Sequence, residues 1–214
     1  HGQVPVMNLD HTNVDVTMAD YYSADYVDSL DELKTNIDER SIVAQSSAGA
    51  LGRKADELIT TALDGTTNVI TESGSDGLTA AKINTVFAHF GENDIPEDGD
   101  RYFVISPDAW IDLLSIAAFS DADFVGPDDL PYKGGMVAKR WLGFLWMTFS
   151  GLPVASSKRQ CFAYHKTGAG LAVQSDVRTE VNYIPERVSN LITAYMSMGA
   201  VLIDDTAVYQ VGIA

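Results

Sequence analysis

The sequence has a single cysteine and few cations, and both shortages exclude classes of protein. Cys161 alone cannot form an intramolecular disulfide, and structural zinc sites generally need more than one thiolate. The chain has 14 Lys and Arg residues against 30 Asp and Glu residues, which gives a formal net charge of -16. Such a chain lacks the basic face of a sequence-reading nucleic-acid binder, and anionic membranes repel it.

Long apolar runs are also missing. The longest, residues 141–155, covers about 15 residues, fewer than the roughly 20 needed to cross a bilayer. Hydrophobic residues nevertheless make up 46% of the 214 residues, which is enough to form a core and argues against disorder. This composition predicts a soluble, cytosolic product of one large domain or two small ones, stabilised by packing and association.

Motifs that carry chemistry are present only as fragments. Residues 165–168 resemble a phosphate-binding loop, but the glycine required before the lysine is His165. Asp121 and Asp123 begin like a calcium loop, yet Val125 and Tyr132 occupy ligand positions. The sequence therefore predicts no catalytic residue, no cofactor and no metal site.

One acidic segment, residues 91–100, keeps a different function open. It carries five carboxylates that could gather a cation: Glu92, Asp94, Glu97, Asp98 and Asp100. Charge runs of this kind are more often solvated loops. A small acidic hydrolase or a calcium-binding protein that uses this loop remains the alternative from another functional class.

The first 27 residues read as an extended ribbon without a core of its own. Valines alternate with polar residues or proline at Val4, Val6, Val14 and Val16, the period expected of a strand. A two-stranded ribbon is marginally stable by itself in water. We therefore expect this segment to pair with something upstream or with another chain.

A long helix is the strongest local signal. Ser29 and Glu32 form a capping box, and apolar residues then recur every seven positions until Gly65 provides a natural stop. This pattern predicts one helix over residues 30–64, about 50 Å long. Gly49 and Gly52 in its middle suggest close packing on a sheet, or else a bend. A helix as long as a compact subunit predicts a flat or elongated molecule.

The remaining elements predict an α+β fold. Helices are expected at residues 79–90 and from Ser106-Pro107 onward, with a loop at residues 121–135. The expected strands are residues 66–72, 101–105, 141–149, 161–166, 170–174, 178–184, 189–203 and 207–213.

Several segments in this order carry a family resemblance. The ribbon leads into a helix that begins with Asp28–Asn36, and Arg101–Trp110 is a strand followed by a capped helix. Further segments are Gly143-Phe144, Gly151–Val154, Phe162–Lys166, Val177–Val181, Met198–Val201 and Val208–Val211. Together they resemble the major capsid proteins of tailed bacteriophages, whose fold is shared with encapsulins. The resemblance covers nearly the whole chain and rests on collinear order.

The resemblance implies an α+β capsid fold with an extended loop, a long spine helix, a peripheral domain and an axial domain. Residues 1–28 would be the returning half of the extended β loop. Residues 29–72 and 188–214 would form the peripheral domain with the spine helix, and residues 73–187 the axial domain.

The function implied is that of a virion structural protein, not an enzyme, made in the cytoplasm of a bacterial host. Hexamers and pentamers of the chain would form an icosahedral head shell around double-stranded DNA, without sequence-specific binding and without a membrane. Scaffolding, portal and decoration proteins are the other partners implied. An encapsulin-type compartment is the alternative on the same fold.

Subunit contacts are expected on the ribbon and on the long helix. The ribbon residues are Val4, Val6, Val14, Val16, Tyr21 and Tyr22, and the helix residues are Arg40, Arg53 and Lys54. Cations are scarce in this chain, so we expect these, with Arg140 and Arg187, to face carboxylates of neighbouring copies or to occupy ordinary surface positions.

Overall fold

The computed structural model describes residues 12–28, 30, 34, 37–70, 77–121 and 138–213. Its helices are α1 (Glu39–Leu63), α2 (Ala80–Glu92), α3 (Pro107–Ser115) and α4 (Ala117–Ser120). Its strands are β1 (Ala19–Asp28), β2 (Val69–Ile70), β3 (Arg101–Ile105), β4 (Lys139–Trp141), β5 (Phe144–Thr148), β6 (Val154–Ala155), β7 (Lys158–His165), β8 (Ala169–Ile184), β9 (Ser189–Leu202) and β10 (Val208–Ile213). The predicted α+β class is confirmed.

The strands form two sheets. A three-stranded sheet has the order β1-β9-β8, and a seven-stranded sheet has the order β2-β10-β7-β3-β5-β4 with β6 beside β7. β1 and β8 both run antiparallel to β9, and β3 runs parallel to β5.

Part of the leading segment pairs within its own subunit, which corrects the expectation that it needs another chain. All ten residues of β1 pair with β9, for example Tyr21 with Met196. Strand β9 is the central strand of this sheet, so its two edges pair with β1 and with β8. Its side chains alternate between buried and half-buried from Asn190 to Met198. Residues 12–18 join no strand, and Val4 and Val6 lie outside the described residues.

Helix α1 packs on one face of this three-stranded sheet. Leu51 is buried there with Ala194, Met196 and Met198, while Tyr21, Ala55, Leu58 and Val177 pack around them. The opposite face of the sheet carries no helix among the described elements. The helix-bearing face is buried because every second β9 side chain points into it.

The helix is shorter than the sequence predicted. Helix α1 starts at Glu39, and the Asp38 Oδ1 caps it by accepting a hydrogen bond from the Ser41 N–H at 3.2 Å. Ile37 and Asp38 lie outside it, so a single helix over residues 30–64 is wrong, because the aspartate caps a helix here instead of continuing one. Its 25 residues span about 38 Å. The capping pair Ser29 and Glu32 lies outside the described residues.

The two glycines do not interrupt α1. A Cβ at Gly52 would have no atom within 4 Å, and one at Gly49 would meet only the Arg53 guanidinium at 3.5 Å. Close packing on the sheet therefore does not account for them, and α1 continues through both without a break. The contact with the sheet is made by neighbouring side chains such as Leu51.

The main core lies between the seven-stranded sheet and α2–α4. Phe103 and Trp146 stack at its centre with ring centroids 4.2 Å apart, and Phe90 of α2 meets Phe144 edge-on at 5.1 Å. The predicted strand 101–105 is confirmed at both ends. The predicted cap at Ser106 is confirmed as well, since the Ser106 Oγ accepts a hydrogen bond from the Ala109 N–H at 3.1 Å.

Four other predicted strands differ from the structure. The predicted strand 141–149 is divided into β4 and β5 by a turn at Leu142 and Gly143, whose φ angles are +48° and +75°. The two strands predicted within residues 170–184 are one strand, β8, bent by irregular register after Val173 and Ser175. Strand β2 has only two residues, and the predicted loop 121–135 is described only at its first residue.

The predicted domain boundaries stay a prediction, and each sheet takes strands from both predicted domains. Strand β8, assigned to the axial domain with residues 73–187, pairs with β9, and β10, assigned to the peripheral domain with residues 188–214, pairs with β7. The cause is that β7 continues into β8 and β9 into β10, so both segments cross from one sheet to the other.

The crossings meet at one place, which we call the junction: residues 66–68, 168 and 203–205. The Asp205 Oδ1 accepts hydrogen bonds from the Thr66 hydroxyl at 2.5 Å and from the Thr67 N–H at 3.0 Å. The Gly168 carbonyl accepts hydrogen bonds from the N–H groups of Ile203 at 2.8 Å and Asp204 at 3.2 Å. The segment that follows α1 is therefore hydrogen-bonded to the crossing after β9. That crossing is in turn hydrogen-bonded to the crossing before β8.

Candidate subunit interface

Residues 12–18, the arm segment, lie across the end of the three-stranded sheet. A Cβ at Gly199 would stand 2.3 Å from the Thr17 carbonyl oxygen and 3.1 Å from a methyl group of Val16. Only glycine therefore lets the arm segment approach β9 this closely. Gly199 is a residue that the sequence analysis did not single out.

The arm segment and the sheet enclose a groove of about 330 Å³. It is lined by Thr12, Asn13, Val14, Val16, Gly170, Leu171, Ala172, Val201 and Ile203, none of which is charged. Val14, Leu171 and Ile203 remain 46%, 39% and 53% exposed. Two of the predicted interface valines, Val14 and Val16, are thus brought together with apolar residues from β8 and β9.

Tyr21 and Lys54 contact each other within the subunit. Tyr21 is half-buried beside Leu51, and the Lys54 Nζ lies 5.6 Å from the centre of its ring. The same Nζ is 2.7 Å from the Glu57 Oε1, a hydrogen bond that raises the pKa of Lys54. Their packing contacts are therefore supplied by their own chain.

Tyr22 points to the helix-free face of the sheet and is 69% exposed. Its ring centroid is 6.5 Å from that of Tyr195, and the Tyr195 hydroxyl donates to the Glu180 Oε1 at 2.9 Å, which raises the pKa of Tyr195. Both tyrosines line a groove of about 500 Å³ with Asp20 and Arg178. This groove is polar, in contrast to the uncharged one beside the arm segment.

The other predicted cations are spread over the surface. Arg40 is half-buried in the first turn of α1, and Arg53 is exposed on the middle of the same helix. The Arg187 guanidinium lies 4.7 Å from the ring centre of Tyr26, a cation–π contact at the β8–β9 turn. Arg140 is exposed on β4, next to Gly99. The structure does not bring these cations together into one patch.

The acidic segment 91–100 is tied to cations of the same subunit. The Asp98 Oδ1 lies 3.1 Å from the His165 Nε2 and accepts a hydrogen bond from the Asp100 N–H at 3.0 Å. These two bonds, the backbone one first, lower the pKa of Asp98. Lys166 reaches both Asp98 and Asp100, and the second contact raises the pKa of Lys166.

Within the described part of the chain, no three His, Cys, Asp or Glu side chains come close enough together to hold a metal ion. In the same part, no helix has the length and apolar character needed to span a membrane. At the three-stranded sheet, the fold instead places exposed apolar and aromatic side chains close together. Surfaces of this kind serve association more than chemistry.

Comparison with known proteins identifies the family. Residues 1–213 match the family described as phage capsid protein. The chain belongs to the phage capsid protein family. It is a major capsid protein, a structural subunit of the phage virion.

Solved structures agree with this capsid protein in fold. A structure from Mycobacterium phage Che8 superposes with a TM-score of 0.78 at 18% identity, covering 98% of this chain and 76% of that one. The capsid structure of cyanophage P-SCSP1u gives a TM-score of 0.75 at 17% identity, covering 100% and 80%. None of the curated proteins matches this capsid protein.

An encapsulin shares the fold more distantly. The holo-SrpI encapsulin complex from Synechococcus elongatus PCC 7942 gives a TM-score of 0.62 at 10% identity, covering 92% of this capsid protein and 73% of that chain. The predicted kinship between phage capsids and encapsulins is therefore confirmed at the level of fold.

Sequence reasoning singled out the arm valines but not the surface of their own subunit that they contact. Leu171, Val201 and Ile203 were read as ordinary strand residues. One signal could have located them: residues 167–175 and 188–203 contain no Asp, Glu, Lys or Arg, although 21% of the chain is charged. In a strongly acidic protein, such uncharged stretches with exposed apolar residues indicate a contact surface.

Proposed function

We propose that copies of this chain form hexamers and pentamers that close into an icosahedral head shell around double-stranded DNA. The family match over residues 1–213 is the observation that supports this most directly. A shell is built from repeated contacts between identical subunits. The exposed apolar groove beside the arm segment and the aromatic face of the three-stranded sheet offer surfaces for such contacts.

The net charge supports a container for DNA more than a DNA-binding protein. At -16 per subunit, the chain repels the phosphate backbone and offers no sequence-reading surface. Packed DNA would then slide past the shell wall and not adhere to it. On this proposal, the subunit is made in the cytoplasm of the bacterial host, and scaffolding, portal and decoration proteins complete the head.

Electron microscopy of the chain expressed in bacteria tests the proposal. We expect closed icosahedral shells, while the soluble remainder elutes as hexamers, pentamers or monomers on a sizing column. Particles from infected cells should protect double-stranded DNA from nuclease. A chain that stays monomeric under all conditions that support phage growth would contradict the proposal.

An encapsulin-type compartment is the second candidate, because the fold also matches an encapsulin at a TM-score of 0.62. The contents of the shell separate the two functions. Shells purified from the native source that hold an enzyme cargo and no nuclease-protected DNA would support the compartment. Shells filled with DNA would support the phage head.

A further inference from the structure

We propose that the uncharged groove beside the arm segment is the seat for an apolar segment of a second copy of this chain. This inference rests on the proposed function, since it assigns one of the contacts by which the shell forms. We call the groove the arm seat and define it by Val14, Leu171, Ala172, Val201 and Ile203.

The first step is the shape of the arm seat. One wall is the arm segment, which the absent side chain of Gly199 allows to lie against β9. The other wall is the beginning of β8 and the end of β9, where Leu171 stands opposite Ala200 and Gly170 opposite Val201. The result is a groove of about 330 Å³ that is open along one side.

The second step is the exposure of its lining. The exposed fractions of Val14, Leu171 and Ile203 lie between about two-fifths and one half. Burial of apolar surface stabilises a contact in proportion to the area that is removed from water, so covering these three half-exposed side chains provides part of a subunit contact. Among the described strands, β8 lies at the edge of its sheet, and the backbone groups on its outer side can add hydrogen bonds to a segment lying in the seat.

The third step identifies the occupant through charge. Two copies of a chain with a net charge of -16 repel each other over most of their surfaces. They approach most easily where neither presents charge, and none of the nine residues that line the arm seat is charged. A cationic partner would instead be drawn to the carboxylates elsewhere. The seat therefore suits a neighbouring copy, as family membership also requires for a capsid subunit.

Substitutions of one exposed residue, Ile203, test this inference. Ile203→Glu and Ile203→Lys change the net charge in opposite directions, but both place a charge in the arm seat. We expect both variants to fold, since the side chain is 53% exposed, and both to reduce the yield of sedimenting shells at least tenfold. Ile203→Met keeps an apolar side chain of similar volume and should assemble like the parent chain.

Circular dichroism and thermal melting of the unassembled variants separate assembly from folding. Leu171→Glu and Leu171→Lys repeat the test on the other strand that lines the seat. If the Lys variants form shells at the parent yield, the seat does not bind an apolar segment of another copy and the inference is wrong. If the parent chain itself never forms shells, the proposed function fails, and this inference fails with it.

Gly199→Ala tests the wall formed by the arm segment. A methyl group there would lie 2.3 Å from the Thr17 carbonyl oxygen, so the arm segment must move away from β9. We expect faster proteolytic cleavage within residues 12–18 and a lower shell yield, with the far-ultraviolet spectrum unchanged. Normal shell yield together with faster cleavage would show that the arm segment is not part of the seat and would overturn its definition.

Discussion

Cys161 illustrates how burial controls the chemistry of a single residue. It lies in the main core, is inaccessible to solvent, and its pKa is raised by that burial to about 12. The thiol therefore stays protonated at neutral pH and is a poor nucleophile.

We expect the native capsid protein to react with a thiol-specific chromogenic reagent far more slowly than the same chain in concentrated urea. The urea sample is the control, because unfolding exposes the thiol and returns its pKa to the ordinary range. Rapid stoichiometric labelling of the folded protein at pH 7 would contradict the buried placement of Cys161.

Asp205 supports the junction through three hydrogen-bond donors. Burial would raise its pKa, but hydrogen bonds from Thr66 and Thr67 outweigh that effect and lower it. A carboxyl group whose pKa is lowered by folding stabilises the native state at pH values above its pKa in the unfolded chain, about 3.9. This stabilisation is lost as the pH falls through the lower pKa of the folded state.

Asp205→Asn should reduce the free energy of unfolding at pH 7 by about 1–3 kcal/mol, because the amide presents a donor where only acceptors fit. Urea denaturation at pH 7 and pH 3 measures the effect, which should shrink at pH 3. Asp56→Asn, on the exposed face of α1, is the matched control and should change stability by less than about 0.5 kcal/mol. If both variants lose the same free energy of unfolding, the hydrogen bonds of Asp205 do not contribute specially to stability.

At the scale of elements, the segments predicted well are those with local signals. Helix α2 has Thr79 as its cap and α3 has Ser106, and both caps lie directly beside an apolar repeat. Strand β3 is a short apolar run between turn residues. Such elements depend on neighbours within a few positions, and the sequence displays those neighbours.

The elements predicted poorly depend on distant partners. Strand β1 pairs with residues about 170 positions away, as Tyr21 with Met196 shows, and no local pattern reports such a partner. The predicted start of α1 was wrong for another reason. The apolar residues recur every seven positions on both sides of Asp38, which allows a continuous helix, but Asp38 caps the helix in the structure. The arm seat was half predicted, since its valines were expected at a contact and its strand residues were not.

Gly52 provides a prediction at this scale. It lies in the interior of α1, where a Cβ would meet no other atom. Gly52→Ala should therefore raise the free energy of unfolding by about 0.5–1 kcal/mol, because alanine loses less backbone entropy in a helix. Thermal or urea denaturation checks this. Unchanged or lower stability would mean that the glycine has a role that the free subunit does not show.

At the scale of the whole molecule, strand pairing of the leading segment with the rest of the subunit begins at Ala19. Residues from β1 onward pair with β9 and contribute Val27, which is only 2% exposed, to the folded subunit. Residues 12–18 join no strand, yet they form one wall of the arm seat.

Deletion of residues 1–18 should therefore leave a folded subunit with an unchanged far-ultraviolet spectrum and impair shell formation. Deletion of residues 1–28 is the comparison variant, and it should also lose stability because it removes β1. Shell yield by sedimentation and electron microscopy, beside melting curves, measures both effects. Shells of normal yield and stability from the shorter deletion would contradict the assignment of the arm to assembly.

The junction has a mechanical consequence for the folded subunit. Three backbone crossings, after α1, before β8 and after β9, join the two sheets at one spot and are hydrogen-bonded to one another through Asp205 and Gly168. Tension that pulls the sheets apart is shared among three covalent strands acting in parallel. Helix α1 also packs on both cores, through Leu51 on one and Leu63 on the other, so side-chain packing along one helix carries part of any force between the two sheets.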